Sequence, residues 1–564
     1  MLVAAGLSLA APTARAAPEA RVLAGAVAAP WPALQTADGA FRGYLHPGPS
    51  GRYGEAMLGL GLLQTGLRND DRGLVLASLR ALAYAIRHDP VARTPSVFEE
   101  YSLAAAYNLA RRRIAGDVYF QAIRPAWVAR LRGIVPLFLS RPRGGFFNKH
   151  LVEAVTWLQL ARSGLRSRVR GAVLRRPRRA RATATRYLVR AIPRLTRRST
   201  RGRLRLLADP APSPLAYHAL SLGFYARSLS MLDRRARRRA RRTLVGAARA
   251  SLALAGPDGD VAYTGRSQEQ SWALSFTAYG AEVAAAGARA RTARALRRLA
   301  ARALTRLRAA HPVGTAGLAL TPSLASAQGS AGLDPYADGG AYAGLTLVGL
   351  NWSGGQPHPP PLVLGDGPER GYGIIRGRGG ALAVVRARGV WFAVRRRPDP
   401  DGDLRSDFGL VALKFRDATG FHDLLRLRPR AFESPGGAGP ILLDGPKVRP
   451  PEGRRLSAGR RGVTVDVGWA RLRWRPASCG VRVGWRGPRD ALYEYSAFFP
   501  TASAPAQVDP FTVVGGGQRV SASGAATVTL EPGYASGLDS ALLRARLRFA
   551  ADASGRASVT VCHL

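Results

Sequence analysis

Two short stretches carry side chains suited to acid–base chemistry: Asn148-Lys149-His150-Leu151-Val152-Glu153-Ala154 and Ser213-Pro214-Leu215-Ala216-Tyr217-His218. They place an amide, two imidazoles and a phenol near the starts of two apolar, helix-like segments. Such groups suit elimination across a glycosidic bond beside a uronic acid. The proton next to the carboxylate becomes acidic only when a donor such as Asn, Arg or His neutralises that carboxylate, because the intermediate is a dianion. A base must then take the proton and an acid must protonate the departing oxygen, roles open to His or Tyr. No metal is obligatory and no cofactor is required. Each residue also has a structural reading: Asn148 as a helix N-cap, His150 as a satisfied core histidine.

A second cluster, Tyr263-Thr264-Gly265-Arg266-Ser267-Gln268-Glu269-Gln270-Ser271-Trp272, precedes another apolar helix. Arg266 can bind a carboxylate, Tyr263 can act as a phenolic acid, and Trp272 can stack on a sugar face. Gln268, Glu269 and His218 join them as candidate substrate contacts. The alternative is a helix start with Ser267 as cap and Gln270 at the capping-box position. Tyr53 and Glu55, with Glu100 and Tyr101, open two earlier helices and are candidates to border the same cleft, although acids also favour a first helical turn through the dipole alone.

These residues need a scaffold of helices. Between about 52 and 310, apolar residues recur at three- and four-residue spacing in Tyr53–Thr65, Leu74–Arg87, Phe98–Arg111, His150–Arg162, Leu215–Leu232, Arg234–Leu254 and Ser267–Ala286. Ten or more antiparallel helices predict an (α/α) toroid or layered bundle over residues 17–350. Residues 351–367, rich in Gly, Pro and His, read as a linker. From 368 to 564 the period changes to two. The segments Ala381–Arg388, Val390–Arg396, Gly409–Arg416, Val463–Trp474, Val481–Trp485, Leu492–Phe499, Ala526–Leu530 and Leu542–Phe549 predict an antiparallel β-sandwich.

The chain has 564 residues, too many for one ordinary core. Its net charge of +48 attracts anionic polymers. Residues 161–205 hold 17 Arg and no acid, which reads as a solvated face or as an electropositive wall beside a groove. No zinc-finger, RNP or helix-turn-helix pattern points to nucleic acid, and no segment reads as a membrane span. Residues 1–16 read as a secretory signal peptide, with Ala14-Arg15-Ala16 as the cleavage site, so a secreted or envelope-associated protein is expected. Cys479 and Cys562 form either one disulfide or two buried thiols.

The segments Asn148-Lys149-His150-Leu151-Val152-Glu153-Ala154, Ser213 to His218 and Pro257-Asp258-Gly259-Asp260 resemble, in this order, motifs of the heparinase II/III-like polysaccharide lyases. That resemblance implies a toroid followed by a β-sandwich and a secreted lyase acting on an anionic, uronate-containing polysaccharide. It implies Asn148 as carboxylate neutraliser, His150 as base and Tyr217 as acid. One departure is plain: where the family's β-domain carries a His-x-His-Ala-Asp segment, this chain has Leu404-Arg405-Ser406-Asp407-Phe408-Gly409, with His422 nearby. A looser likeness to hyaluronate and chondroitin lyases would combine Asn148, His218, Tyr225 and Arg266. The rivals are a catalytically diverged glycan-binding relative and a toroid glycoside hydrolase, which needs two carboxylates facing one bond, with Glu100, Glu153, Asp209 and Glu269 as candidates.

Overall fold

The computed structural model describes residues 13–14, 16–42, 53–88, 96–139, 148–199, 205–207, 215–264, 267–323, 338–356, 362–363, 371–376, 381–387, 389–396, 408–425, 439–445, 447–449, 451–534 and 541–564. Six helices pack side to side into a closed ring: Gly54–Asn69, Val97–Arg113, Asn148–Arg162, Leu215–Leu229, Ser271–Ala285 and Gly339–Gly354. Between them the chain returns through outer helices, among them Arg72–Arg87, Val118–Gly133, Pro177–Arg186, Arg234–Leu254 and Ala290–Ala310. Because inner and outer helices alternate, the six inner helices share one direction and begin at one rim.

Composition sorts the helices between the two rings. Outer helices have one apolar stripe. In Arg72–Arg87, Leu74, Val75, Leu79, Leu82 and Ile86 are buried while Arg80 and Arg87 face solvent. Inner helices are apolar or small all round, and every residue from Gly339 to Gly354 is buried. At Gly344 a Cβ would lie 2.7 Å from the Leu58 backbone nitrogen, so only glycine permits that approach.

The last toroid helix runs to Gly354, four residues into the stretch read as linker, and Thr13–Ala14 pairs antiparallel with Leu362–Val363. The C-terminal part is a sandwich. One layer is an eight-stranded sheet, from Gly453–Gly459 at one edge to Ala506–Asp509 at the other. The stretch read as one strand over Val463–Trp474 is a hairpin of Gly462–Val467 and Ala470–Ala477, since Gly468 and Trp469 turn the chain. Facing this layer are two five-stranded sheets, and the three share one core around Phe392, Trp474, Tyr493 and Phe549. Cys479 and Cys562 form a disulfide beside the pairing of Gly480–Arg486 with Arg556–His563.

The meander Gly371–Arg376, Ala381–Ala387, Val390–Arg395, Gly409–Arg416 and Phe421–Asp423 joins the two parts. Val390–Arg395 is buried on both faces. Val390, Phe392 and Val394 enter the sandwich core, whereas Trp391 and Ala393 pack with Leu215, Leu254 and Tyr263 of the toroid. Period-two alternation therefore serves two cores at once. Beside this seam Lys414, 1% exposed, bonds Asp258 (2.9 Å), Asp260 (3.1 Å) and Asp423, while Arg306 reaches Asp258, Asp260 (3.4 Å), Asp423 (3.4 Å) and Glu269 (3.3 Å). Burial disfavours the Lys414 charge, but Asp258, Asp423 and Asp260 outweigh it and hold the ammonium charged well above the usual lysine range.

Removing one partner of such a cluster strands the others in a dry seam. Lys414→Met is expected to cost about 3–5 kcal/mol in denaturant unfolding. A loss under about 1 kcal/mol, the range of exposed pairs, would show that Arg306 alone holds the seam.

Candidate functional site at the toroid rim

The rim where the inner helices begin faces the meander, since Leu215 at the head of its helix packs against the Trp391 sheet. Three outer helices start with an aspartate cap: Asp71 accepts from Leu74 N (3.0 Å), Asp117 from Phe120 N (2.9 Å) and Asp233 from Ala236 N (2.8 Å), whereas Pro177–Arg186 and Ala290–Ala310 have none. On the inner ring, Tyr53, Ser96 and Gln270 occupy the cap positions without a side-chain cap bond, and Asp338 alone of the four described caps provides one. Helix N-termini converging on one rim favour an anion there through their aligned dipoles.

Tyr217 and the segment before Ser271–Ala285 form the centre of the candidate site. Tyr217 is half-buried. Its phenol oxygen accepts from Ser267 Oγ at 3.4 Å, and its ring meets Trp272 edge-on at 5.8 Å; Trp272 in turn meets Tyr342 at 6.0 Å. Ser267 does not cap the helix as the capping-box pattern expects. It lies four residues outside, in a turn where Ser267 (φ 55°) and Glu269 (φ 56°) both adopt left-handed backbone. Neither is glycine, so the turn holds strain of about 1–3 kcal/mol per residue. Glu269 N–H bonds Ala262 O and Ser271 N–H bonds Leu320 O, which fix the turn at both ends. Within it, both amide atoms of Gln268, the Trp272 indole N–H and the Thr264 hydroxyl are buried without hydrogen-bond partners among the described residues. Buried polar groups in that state call for a partner, and a polar ligand entering at the turn would supply one.

Asn148 and His150 open the neighbouring inner helix, and both are buried. His150 lies between Phe138 (5.6 Å) and Tyr187 (6.2 Å, stacked), and burial lowers its pKa, leaving a neutral imidazole at neutral pH. Glu153 does not orient that ring directly. Its carboxylate accepts from the N–H groups of Leu137 (2.7 Å), Phe138 (2.9 Å) and Leu139 (2.6 Å), pinning the strap that lays Phe138 on His150. Glu100, at the head of the adjacent inner helix, is buried; desolvation first, then the Glu153 charge, push it up to about 8 against the pull of Arg130. Tyr53, at the head of the helix before it, stacks on Phe98 at 4.9 Å.

Several candidates are employed elsewhere. His218 points away from Tyr217 although it is next in sequence: Leu207 N–H donates to Nδ1 (3.0 Å), Nε2 meets Ser251 Oγ (3.0 Å), and burial lowers its pKa to about 4. Both ring nitrogens are engaged. Tyr263 donates to Leu254 O (3.0 Å) and meets Trp391 edge-on at 4.9 Å, making it part of the seam rather than a phenolic acid. Glu269 belongs to the Arg306 cluster, and burial followed by Asp260 pushes it up to about 8. Tyr225 donates to Leu188 O inside the toroid wall (3.0 Å), so the looser Asn148–His218–Tyr225–Arg266 combination is not assembled. Arg266 and the 404–407 stretch lie outside the described residues. His422 alternates with Asp423 along its strand, bonds Asp417 (2.9 Å) and meets His563, so it faces away from the Lys414 side. Asp258, Asp260 and Asp423 converge closely enough for a cation, but Arg306 and Lys414 already bind all three.

Sequence reasoning missed Ser267, Phe138, Tyr187 and Tyr342. A Ser-Gln-Glu-Gln run with more polar atoms than a helix cap needs was the available signal for the turn; the others come from distant segments.

No family model and no curated protein matches this sequence. Among solved structures the fold is similar to heparinase III, with TM-score 0.52 and 10% identity over 97% of this chain and 85% of that one. This likeness establishes a toroid followed by a β-sandwich. A second heparinase III structure (TM-score 0.41, 8% identity, 90% and 76% coverage) and a β-L-arabinofuranosidase of Geobacillus stearothermophilus (0.32, 12%, 97% and 93%) are too distant to carry an argument.

Two outcomes are expected. Gln268→Leu relieves an orphaned amide and should raise stability by about 1 kcal/mol while weakening ligand binding, read by thermal unfolding with and without uronate oligosaccharide; a destabilised variant would mean the amide is satisfied. The second concerns pH. Glu100, Glu269 (about 8) and Glu282 (about 7) keep their protons to higher pH folded than unfolded, so their contribution declines as pH rises from about 4.5 to 8. His218 (about 4) and His311 (about 3) resist protonation when folded, so their contribution rises with pH up to about 6.5. Above that only the carboxyls act. The unfolding midpoint should therefore fall between pH 6.5 and 8, and Glu100→Gln should flatten the slope; a flat wild-type profile would contradict the assignment.

Proposed function

We propose that this protein is a secreted polysaccharide lyase that cleaves a uronate-containing anionic glycan by β-elimination at the toroid rim. The observation that carries this reading is the Tyr217 phenol beside a strained turn bearing buried, unpartnered polar groups. The converging helix N-termini supply a field suited to a carboxylated chain. Asn148 neutralises the uronate carboxylate, so that the charge of the enolate-like intermediate is stabilised. His150, kept neutral by burial, or Tyr217 removes the adjacent proton, and Tyr217 protonates the departing oxygen. Trp272 backs the Tyr217 ring. The family's β-domain histidine has no counterpart in this scheme, so the proton transfers fall to toroid residues.

One observation favours a second reading. Glu100, held protonated near neutrality, has the property of a glycosidase's general acid. The partner carboxylate is harder to find, because Glu153 is committed to three backbone N–H groups.

The test is ultraviolet absorbance of the unsaturated uronate product on a panel of uronate polysaccharides. Tyr217→Phe and His150→Ala should each lower the rate by about 10²-fold or more. Saturated reducing ends without absorbance, abolished by Glu100→Gln, would establish hydrolysis instead.

A further inference from the structure

Outside the ring, a hollow of about 430 Å³ opens between the helix Arg234–Leu254 and the π-helical turn Tyr187–Ala191. Arg205, Arg239, Arg242 and Arg249 line it with Thr243, and no acidic residue does among the described residues. Arg239, Arg242, Gly246 and Arg249 follow one another at three- and four-residue steps, one stripe of the helix. Gly246 interrupts the arginines where Arg205 crosses: a Cβ there would lie 3.3 Å from Arg205 Cδ. Arg205 is anchored by its neighbours, since Leu206 and Leu207 are buried and Leu207 N–H donates to His218. The opposite wall is held too, because Tyr225 on the inner helix donates to Leu188 O within the π-turn. π-Helical turns concentrate at functional sites.

The state of the four guanidinium groups separates this hollow from the general basicity of the chain. On the same helix Arg237 is satisfied by the carbonyls of Leu229 and Leu232. Arg205, Arg239, Arg242 and Arg249 make no ion pair or hydrogen bond among the described residues. Like charges brought together around a concave surface repel, and an anion seated among them would reverse that term. Guanidinium groups suit planar or tetrahedral oxyanions, which accept two parallel N–H bonds.

We propose that this hollow is a second anion site that binds a sulfate ester of an anionic saccharide, outside the rim where the proposed chemistry occurs. A sulfate ester carries one negative charge, as a carboxylate does, but it presents three tetrahedral oxygens, which several guanidinium groups can share. The volume suits one or two sugar residues, and among the described residues the lining carries no aromatic ring on which a nucleobase would stack. The choice of a saccharide rests on the proposed glycan activity; the anion site itself does not.

The experiment measures binding of a sulfated hexasaccharide, its unsulfated counterpart, inorganic sulfate and a single-stranded DNA of equal charge to the full chain by titration calorimetry. The sulfated hexasaccharide should bind in a salt-dependent way. Arg239→Gln with Arg242→Gln should weaken it by about tenfold or more, as expected for lost charge-assisted bonds. Arg178→Gln with Arg179→Gln, the same charge loss on the exposed face of Pro177–Arg186, should change it less than about twofold. Gly246→Leu keeps every charge and fills the hollow, and should weaken binding as the arginine pair does. Circular dichroism of each variant confirms folding. Equal losses in both arginine pairs, or unchanged binding to Gly246→Leu, would show a diffuse field and overturn the site. DNA binding as tight as the sulfated hexasaccharide through Arg239 and Arg242 would overturn the saccharide assignment. Inorganic sulfate alone saturating the hollow, with no gain from the saccharide, would also overturn it and leave a free-ion site. Tyr217→Phe should bind the sulfated hexasaccharide at this hollow as wild type does, so loss of elimination and loss of anion binding are read separately.

Discussion

Two buried cations hold this molecule together at its seam. Arg306 belongs to the toroid and Lys414 to the sandwich, and they share the carboxylates of Asp258, Asp260 and Asp423. Arg306 also takes Glu269, whose backbone belongs to the strained turn beside Tyr217. One cluster therefore fixes the sheet over the rim and the turn under it. Apolar contact between Tyr263, Leu254 and Trp391 supplies attraction at this seam, but such packing is not directional. The ion pairs specify which residues meet.

That arrangement explains how a turn with two left-handed, non-glycine residues persists. Its ends are held by Ala262 O and Leu320 O and its middle by Arg306, so the local strain is outweighed by contacts on three sides. The freedom so removed leaves the Gln268 amide and the Trp272 indole presented in fixed positions. A site on a loose loop would have to order these groups at the moment of binding.

The sequence made much of the scaffold legible and less of the site. Helix Arg234–Leu254 matches its expected span, because a single apolar stripe among arginines leaves no alternative period. Five of the inner helices are legible as apolar runs, whereas Gly339–Gly354 was not read as a helix, and closure into a ring depends on close approaches such as Gly344 against Leu58, which no local pattern encodes. Tyr217 and His218 are adjacent, and a helix turns consecutive residues by about 100°, so one faces the rim and the other the outer ring. The motif Pro257-Asp258-Gly259-Asp260 was legible as a motif, but its partner Lys414 lies more than 150 residues away. Glu153 looked like a neighbour of His150 along the helix; its backbone donors at 137–139 were invisible because they belong to a segment without periodicity.

The chain has only Lys149, Lys414 and Lys447 among its 84 basic residues. Lys149 and Lys447 are exposed, whereas Lys414 is sealed in the seam. The scarcity of lysine thus gives the protein a native reporter. Amine-selective reagents divide its lysines into two that react in the folded state and one that answers only when toroid and sandwich part. The rate at which that third amine becomes modifiable measures the opening of the seam directly, without any label introduced by mutation.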